Sequence, residues 1–136
     1  MVITLDLIDE VALECWERAY AKNVVRRFFD AWNVGDTAAF EGLVDGEFEE
    51  PWAPSPGYGK GPDGARASYA SAMTRYSELH FELEDLVAEP AAVACRTVLR
   101  FTERQTGVQG RMVGMNIFHL SASKLVREWY VYIRVG

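Results

Sequence analysis

Two polar side chains stand where chemistry would be done if their surroundings are as apolar as the sequence suggests. Glu50 precedes Pro51 on the segment Phe48–Trp52, which reads as a brief strand. Side chains alternate along a strand, so Phe48 and Glu50 share a face while Glu49 points away. A carboxylate beside apolar groups loses hydration, and its pKa climbs toward values useful for taking a proton. The competing reading is a solvated acidic rim, because Glu47, Glu49 and Glu50 crowd one short segment. Asn116 lies in the middle of the apolar stretch Met112–Leu120. Its amide could donate a hydrogen bond to a substrate oxygen without needing a shifted pKa. Alternatively it satisfies a neighbouring backbone group, since a buried amide without partners is costly.

Other candidates carry weaker signals. Tyr20, Tyr58, Tyr69 and Tyr76 could offer phenolic donors at a pocket mouth, or pack with their hydroxyls at the surface. His80 falls at a helix-to-strand junction and reads as a C-terminal cap rather than a base. His119 alternates away from Asn116 and Phe118, which places it on an outer face. Arg127 reads as an edge ion pair or as an anchor for an anionic substrate tail. Cys15 and Cys95 show no CxxC spacing and no nearby His, so neither a disulfide nor a zinc site is expected; Cys95 reads as core, and a reducing cytoplasm fits.

The elements that must position these groups follow from periodicity. Leu13, Trp16, Tyr20, Val24, Phe28 and Trp32 recur every three or four residues, predicting a long helix with Asp9 as its N-cap and Gly35 as its stop. Asp36 should then cap a short helix ending at Leu43. Residues 51–62, rich in Pro and Gly, read as a loop over a pocket. A third helix is expected from Asp63 to about Tyr76, with Ala65, Tyr69, Ala72, Met73 and Tyr76 on its apolar side. The period then changes, and Phe81–Val87, Val93–Phe101, Met112–Leu120 and Leu125–Val135 read as four strands. Helices followed by strands point to an α+β fold with an antiparallel meander. The last two strands are nearly apolar on both faces. One face packs on the helices, and the other needs a ligand, a partner subunit or both. A dimer interface is the simpler explanation for that second face. Trp129, Val131 and Ile133 share a face and read as the floor of the pocket.

Composition narrows the function classes. The chain has 136 residues, the size of one domain, 1–136. Hydrophobic residues make up 49% and charged residues 25%, enough to bury a core and stay soluble. A net charge of −6 and a pI near 4.9 argue against nucleic acid and anionic membrane surfaces as partners. The amino terminus lacks the pattern of a signal peptide, and no apolar run reaches membrane-spanning length.

The order of the motifs Phe28–Val44, Gly59–Arg66, Phe81–Glu89 and Lys124–Trp129 resembles the nuclear transport factor 2-like superfamily, particularly its SnoaL-like polyketide cyclase and ketosteroid isomerase branches. That resemblance implies a conical barrel: a strongly curved antiparallel sheet packed against one long and two shorter helices around a deep apolar pocket. It also implies homodimers across the outer sheet face. In the isomerase pattern Glu50 stands at the general base and Asn116 at the group that donates to the substrate oxygen. These two are the expected catalytic residues. Phe28, Trp32, Trp52, Tyr58, Tyr69, Met73, Met112, Phe118, Trp129 and Ile133 are the expected pocket residues. Phe28 replaces the oxyanion Tyr of the isomerases, and Ile133 replaces the pocket Asp of the cyclases. Arg96 has no Asp two residues on, as the epoxide hydrolase pattern requires. The resulting expectation is a cyclase or isomerase of bacterial secondary metabolism acting on an apolar polyketide-like molecule. A non-catalytic binding protein of the same fold is the alternative. No metal or organic cofactor is implied, because there is no ligand cluster and no phosphate-binding glycine loop.

Overall fold

The computed structural model describes residues 2–50 and 59–136, with side chains from Glu10 onward. Trp52, Tyr58, most of the 51–62 loop and the end of the expected Phe48–Trp52 strand lie outside the described residues. Helix α1 spans Val2–Val34, a short 3₁₀ turn Thr37–Ala39, α2 Phe40–Leu43 and β1 Val44–Glu49. Helix α3 covers Gly61–Arg75 and is followed by β2 (Tyr76–Glu89), β3 (Ala92–Glu103), β4 (Gln109–Ser121) and β5 (Lys124–Arg134).

Helix α1 begins well before Asp9, which is therefore not its cap. Once a helix is nucleated each further residue adds a hydrogen bond, and no Pro or Gly interrupts Val2–Val34. Among the described side chains, its apolar stripe is buried from Ala21 onward, through Val24, Val25, Phe28 and Phe29. Trp16 instead stays 62% exposed and stacks on Tyr20 with ring centres 5.3 Å apart. Gly35 ends the helix in the left-handed region at φ 73, and the Asp36 amide donates back to the Ala31 carbonyl at 2.9 Å. The Asp36 side chain makes no capping hydrogen bond, contrary to expectation. Strand β2 starts directly after α3, so His80 pairs with Arg100 inside the strand and caps nothing.

The strands lie in the order β1-β5-β4-β3-β2. Strand β1 runs parallel to β5, and the other neighbours are antiparallel. The sheet is curved as the α+β cone requires, yet it does not close into a barrel, leaving β1 and β2 as edges.

The register of β5 against β4 decides what faces inward. Leu120 pairs with Leu125, but His119 pairs with Arg127, so Val126 is an extra residue in β5. Such a bulge turns every following side chain to the opposite face. Glu128, Tyr130 and Tyr132 consequently sit opposite Phe118, Asn116 and Gly114 on the concave side. Trp129, Val131 and Ile133 lie on the convex side, which corrects their expected place as pocket floor. Gly114 makes room for this arrangement, since a Cβ there would come 2.2 Å from the Tyr132 ring.

Helix α1 crosses the concave face and is fastened to the edge strand by Asn33. Its Nδ2 donates to the Phe81 carbonyl at 2.9 Å, and the Phe81 amide donates to Asn33 Oδ1 at 2.7 Å. One amide thus substitutes for a missing neighbour strand. Phe29 and Trp32 pack on the Phe81 ring at 5.0 and 5.7 Å from the same position. Asn33→Ala removes both bonds and leaves two backbone groups unpaired, so urea denaturation should show a loss of about 2–3 kcal/mol. Hydrogen exchange at the Phe81 amide should quicken; a variant with unchanged exchange and midpoint would refute this role.

Candidate active site

Between α1, α3 and the concave sheet lies a cavity of about 250 Å³. Helix α1 contributes Phe28, Phe29 and Trp32 to its wall, and α3 contributes Ser68, Ser71, Ala72 and Arg75. The sheet adds Tyr76, Leu79, Phe81, Leu99 and Met112. Two carboxyl groups, Glu50 and Glu128, border it together with Tyr130 and Tyr132. The wall is thus chiefly aromatic and aliphatic with a few placed polar groups, the usual make-up of a small-molecule site.

Glu50 follows directly after β1 and is half-buried. Ser68 Oγ donates to its Oε2 at 3.2 Å. Burial pushes the Glu50 carboxyl up to about 7, against the opposing effect of the Ser68 hydrogen bond. Glu49, on the other parity, forms an ion pair with Arg127 at 3.1 Å at the sheet edge. Arg127 is therefore engaged at the edge, not in the cavity.

Glu128 is 6% exposed and belongs to a chain of hydrogen bonds. Asn116 Nδ2 donates to Glu128 Oε2 at 2.7 Å, and Asn116 Oδ1 accepts from both Thr97 Oγ1 and the Tyr132 hydroxyl at 3.0 Å. Burial raises the Glu128 pKa well above the ordinary carboxyl value, and the charge of Glu50 raises it further, while the Asn116 bond lowers it. Burial also raises the Tyr132 hydroxyl and, to about 12, the Cys95 thiol. Cys95 is a core residue, as expected. Among the described residues no group of three His, Cys, Asp or Glu side chains is placed to hold a metal.

The structure brings Glu50, Phe28, Trp32 and Met112 together in the cavity wall. Asn116 is fully buried behind Glu128 and does not border the cavity, which corrects its expected contact with substrate. Phe118 is core against Phe28 and Phe29. Tyr69 packs on Trp32 at 5.2 Å, and its hydroxyl would lie 2.8 Å from a Cβ on Gly35, so it joins α3 to the end of α1. Met73 is half-buried on α3 and does not border the cavity. Ile133 is 63% exposed and Trp129 lies with Met115 and Ile117 on the convex face. His119 is outside, as its parity indicated. Sequence reasoning missed Glu128, Tyr130 and Tyr132. Their signal is present as a polar period of two along β5, but it became the inner face only through the Val126 bulge.

A curved sheet covered by a long helix, enclosing an apolar cavity with two carboxyl groups in its wall, defines a small α+β fold built to hold a small molecule. The chain belongs to the SnoaL-like domain family, whose model matches residues 25–128, within the nuclear transport factor 2-like superfamily. Its fold is similar to that of TsrD from Streptomyces laurentii, with TM-score 0.74 at 20% identity over 85% of this chain and 89% of that one. It is also similar to IdmH, a putative polyketide cyclase from Streptomyces antibioticus, with TM-score 0.72 at 17% identity over 82% and 91%. A SnoaL-like polyketide cyclase from Agrobacterium tumefaciens aligns with TM-score 0.71 at 19% identity over 83% and 91%. No curated protein matches the sequence.

The position of Glu50 has a consequence for stability. The group titrates near 4.5 when unfolded and near 7 when folded. Between these values the folded protein holds a proton that the unfolded chain has released, so stability falls as pH rises through that window. Glu50→Gln removes the effect. Relative to the parent, the variant should gain stability from pH 4.5 to 8, by up to about 3 kcal/mol. Chemical denaturation at several pH values measures this, and a difference that stays constant with pH would contradict it.

Proposed function

We propose that this protein is a cyclase or isomerase of bacterial secondary metabolism, acting in the cytoplasm on an apolar, polyketide-like ketone, with Glu50 as general base. The observation that carries this reading is a carboxyl group bordering an aromatic and aliphatic cavity and poised near neutral pH. A base is most effective when its pKa lies near the working pH, and the apolar wall supplies that shift. Glu50 would remove a proton from a carbon beside the substrate carbonyl, giving an enol that shifts its double bond or closes a ring. The cavity walls hold the chain in a reactive conformation, which lowers the entropic part of the barrier. Family membership supports the reaction class, and the cyclase assignments of structural neighbours point the same way.

A second copy of this chain is proposed to cover the convex face. Val113, Met115 and Ile117 on β4 stand opposite Ile133, Val131 and Trp129 on β5, forming one apolar patch. Val131 and Ile133 are 52% and 63% exposed, more than a lone domain ordinarily leaves together. Val131→Arg should yield monomers in sedimentation velocity while the parent sediments as a dimer; a monomeric parent would refute the assembly.

The enzymatic reading is tested with 2-tetralone, a bicyclic ketone with acidic C–H bonds, by following deuterium uptake in heavy water by NMR. The parent should accelerate exchange, with a rate rising through an apparent pKa near 7. Glu50→Gln should reduce it by about 10²–10⁴-fold while leaving ketone binding intact. Binding without exchange in the parent would leave a carrier rather than an enzyme.

A further inference from the structure

Glu128 borders the same cavity as Glu50. Its orientation is determined by Asn116. The Asn116 oxygen accepts from Thr97 and Tyr132, so its nitrogen is the atom turned toward Glu128. Turning the amide over would take that acceptor from the two hydroxyl protons. An amide N–H only donates, so Glu128 Oε2 only accepts there. A proton on Glu128 is best placed on Oε1, because a carbonyl-type oxygen accepts the Asn116 N–H better than a hydroxyl-type oxygen does.

We propose that Glu50 and Glu128 form a single-proton pair at the cavity wall, with Glu128 as the acid that protonates the substrate oxygen from Oε1 and Asn116 as the positioning residue. This rests on the reading of the pocket as a site of proton abstraction beside a ketone. Two carboxylates in one apolar site do not readily ionise together, because each charge disfavours the other. Glu50, half-buried and bonded to Ser68, is the one that ionises first. Glu128, nearly sealed from solvent, keeps the proton.

The step balances within the pair. The C–H bond beside the carbonyl breaks and its proton passes to the Glu50 carboxylate. The electron pair forms the carbon–carbon double bond of the enol, and the carbonyl oxygen takes the Glu128 proton. In an isomerisation Glu50 then delivers its proton to the far carbon, while the enol proton returns to Glu128 as the carbonyl reforms. In a ring closure the enol carbon attacks a second carbonyl, and the enol proton returns to Glu128 as the first carbonyl reforms. Glu128 then protonates the new alkoxide, and water carries the Glu50 proton back to Glu128. No oxidant, reductant or metal enters either course.

Carbon-13 NMR of the ligand-free protein labelled at its glutamate carboxyls tests the proton, and the 2-tetralone exchange assay tests its use. The parent should retain one protonated glutamate at pH 8, still present in Glu50→Gln and absent in Glu128→Gln. The parent exchange rate should rise through neutral pH and fall again in alkali as Glu128 ionises. In Glu128→Gln the alkaline fall should vanish and the rate drop about 10²–10³-fold, with tetralone binding retained. Every glutamate ionised in the parent at pH 8 would overturn the inference, and that measurement needs no variant. So would a protonated signal that survives Glu128→Gln, or an alkaline fall that the variant keeps. A signal that behaves as expected in a parent that exchanges no deuterium would instead overturn the catalytic reading of the pocket, and with it proton delivery by Glu128.

Discussion

The Val126 bulge adds one residue between Leu125 and Arg127, and side-chain alternation carries that displacement to the end of β5. Before the bulge Leu125 points into the core; beyond it Glu128, Tyr130 and Tyr132 do. With an unbroken strand an indole and two aliphatic chains would occupy the cavity, and a carboxyl and two phenols would face outward. One backbone irregularity therefore makes the concave face polar enough for chemistry and the convex face apolar enough for a partner. Neighbouring positions accommodate it. Gly114 leaves space for the Tyr132 ring, and Asn116 offers the hydrogen-bonding atoms that Glu128 and Tyr132 require.

Helix α1 turns this curved surface into an enclosure. Phe28 meets the rings of Phe29, Phe40, Phe48 and Phe118 at 5.4–6.1 Å, so one side chain ties the helix to α2, β1 and β4. Aromatic pairs of this kind add about 0.5–1.5 kcal/mol each beyond the apolar area they bury. The same ring is part of the cavity wall. Asn33 adds direction to that packing, because its two bonds to Phe81 align the helix end with the edge of β2. The cavity is thus the space left where the core stops being filled, between residues held by the core itself.

The interior chemistry follows from burial. Water removed from Glu50 and Glu128 favours their neutral forms, and the charge of one raises the other. Such groups lower the stability of the folded protein near neutral pH, a penalty that a purely structural core would avoid. Asn116, Thr97 and Tyr132 offset part of it by hydrogen bonding. The Cys95 thiol, pushed to about 12 by burial and by nearby Glu128, remains unreactive packing.

Much of this architecture was legible in the residues themselves. The helical period from Val24 to Trp32, the stop at Gly35 and the four long strands follow from local periodicity and backbone preference, which act over a few residues. The placement of Glu50 beside apolar groups was legible for the same reason, since it shares strand parity with Phe48. Asp9 misled because a cap residue is a preference and not a barrier to helix growth. The facing of β5 was not legible: Trp129, Val131 and Ile133 are as apolar as a core row, and either face of the strand could have been the inner one. The choice came from pairing with β4, a contact between segments that no local pattern specifies. Sequence alone determined the elements and one carboxylate of the site, because those depend on neighbours along the chain. Only the tertiary structure decided that Glu128 would join it and that Asn116 would stand behind, because a bulge is defined by the strand across from it.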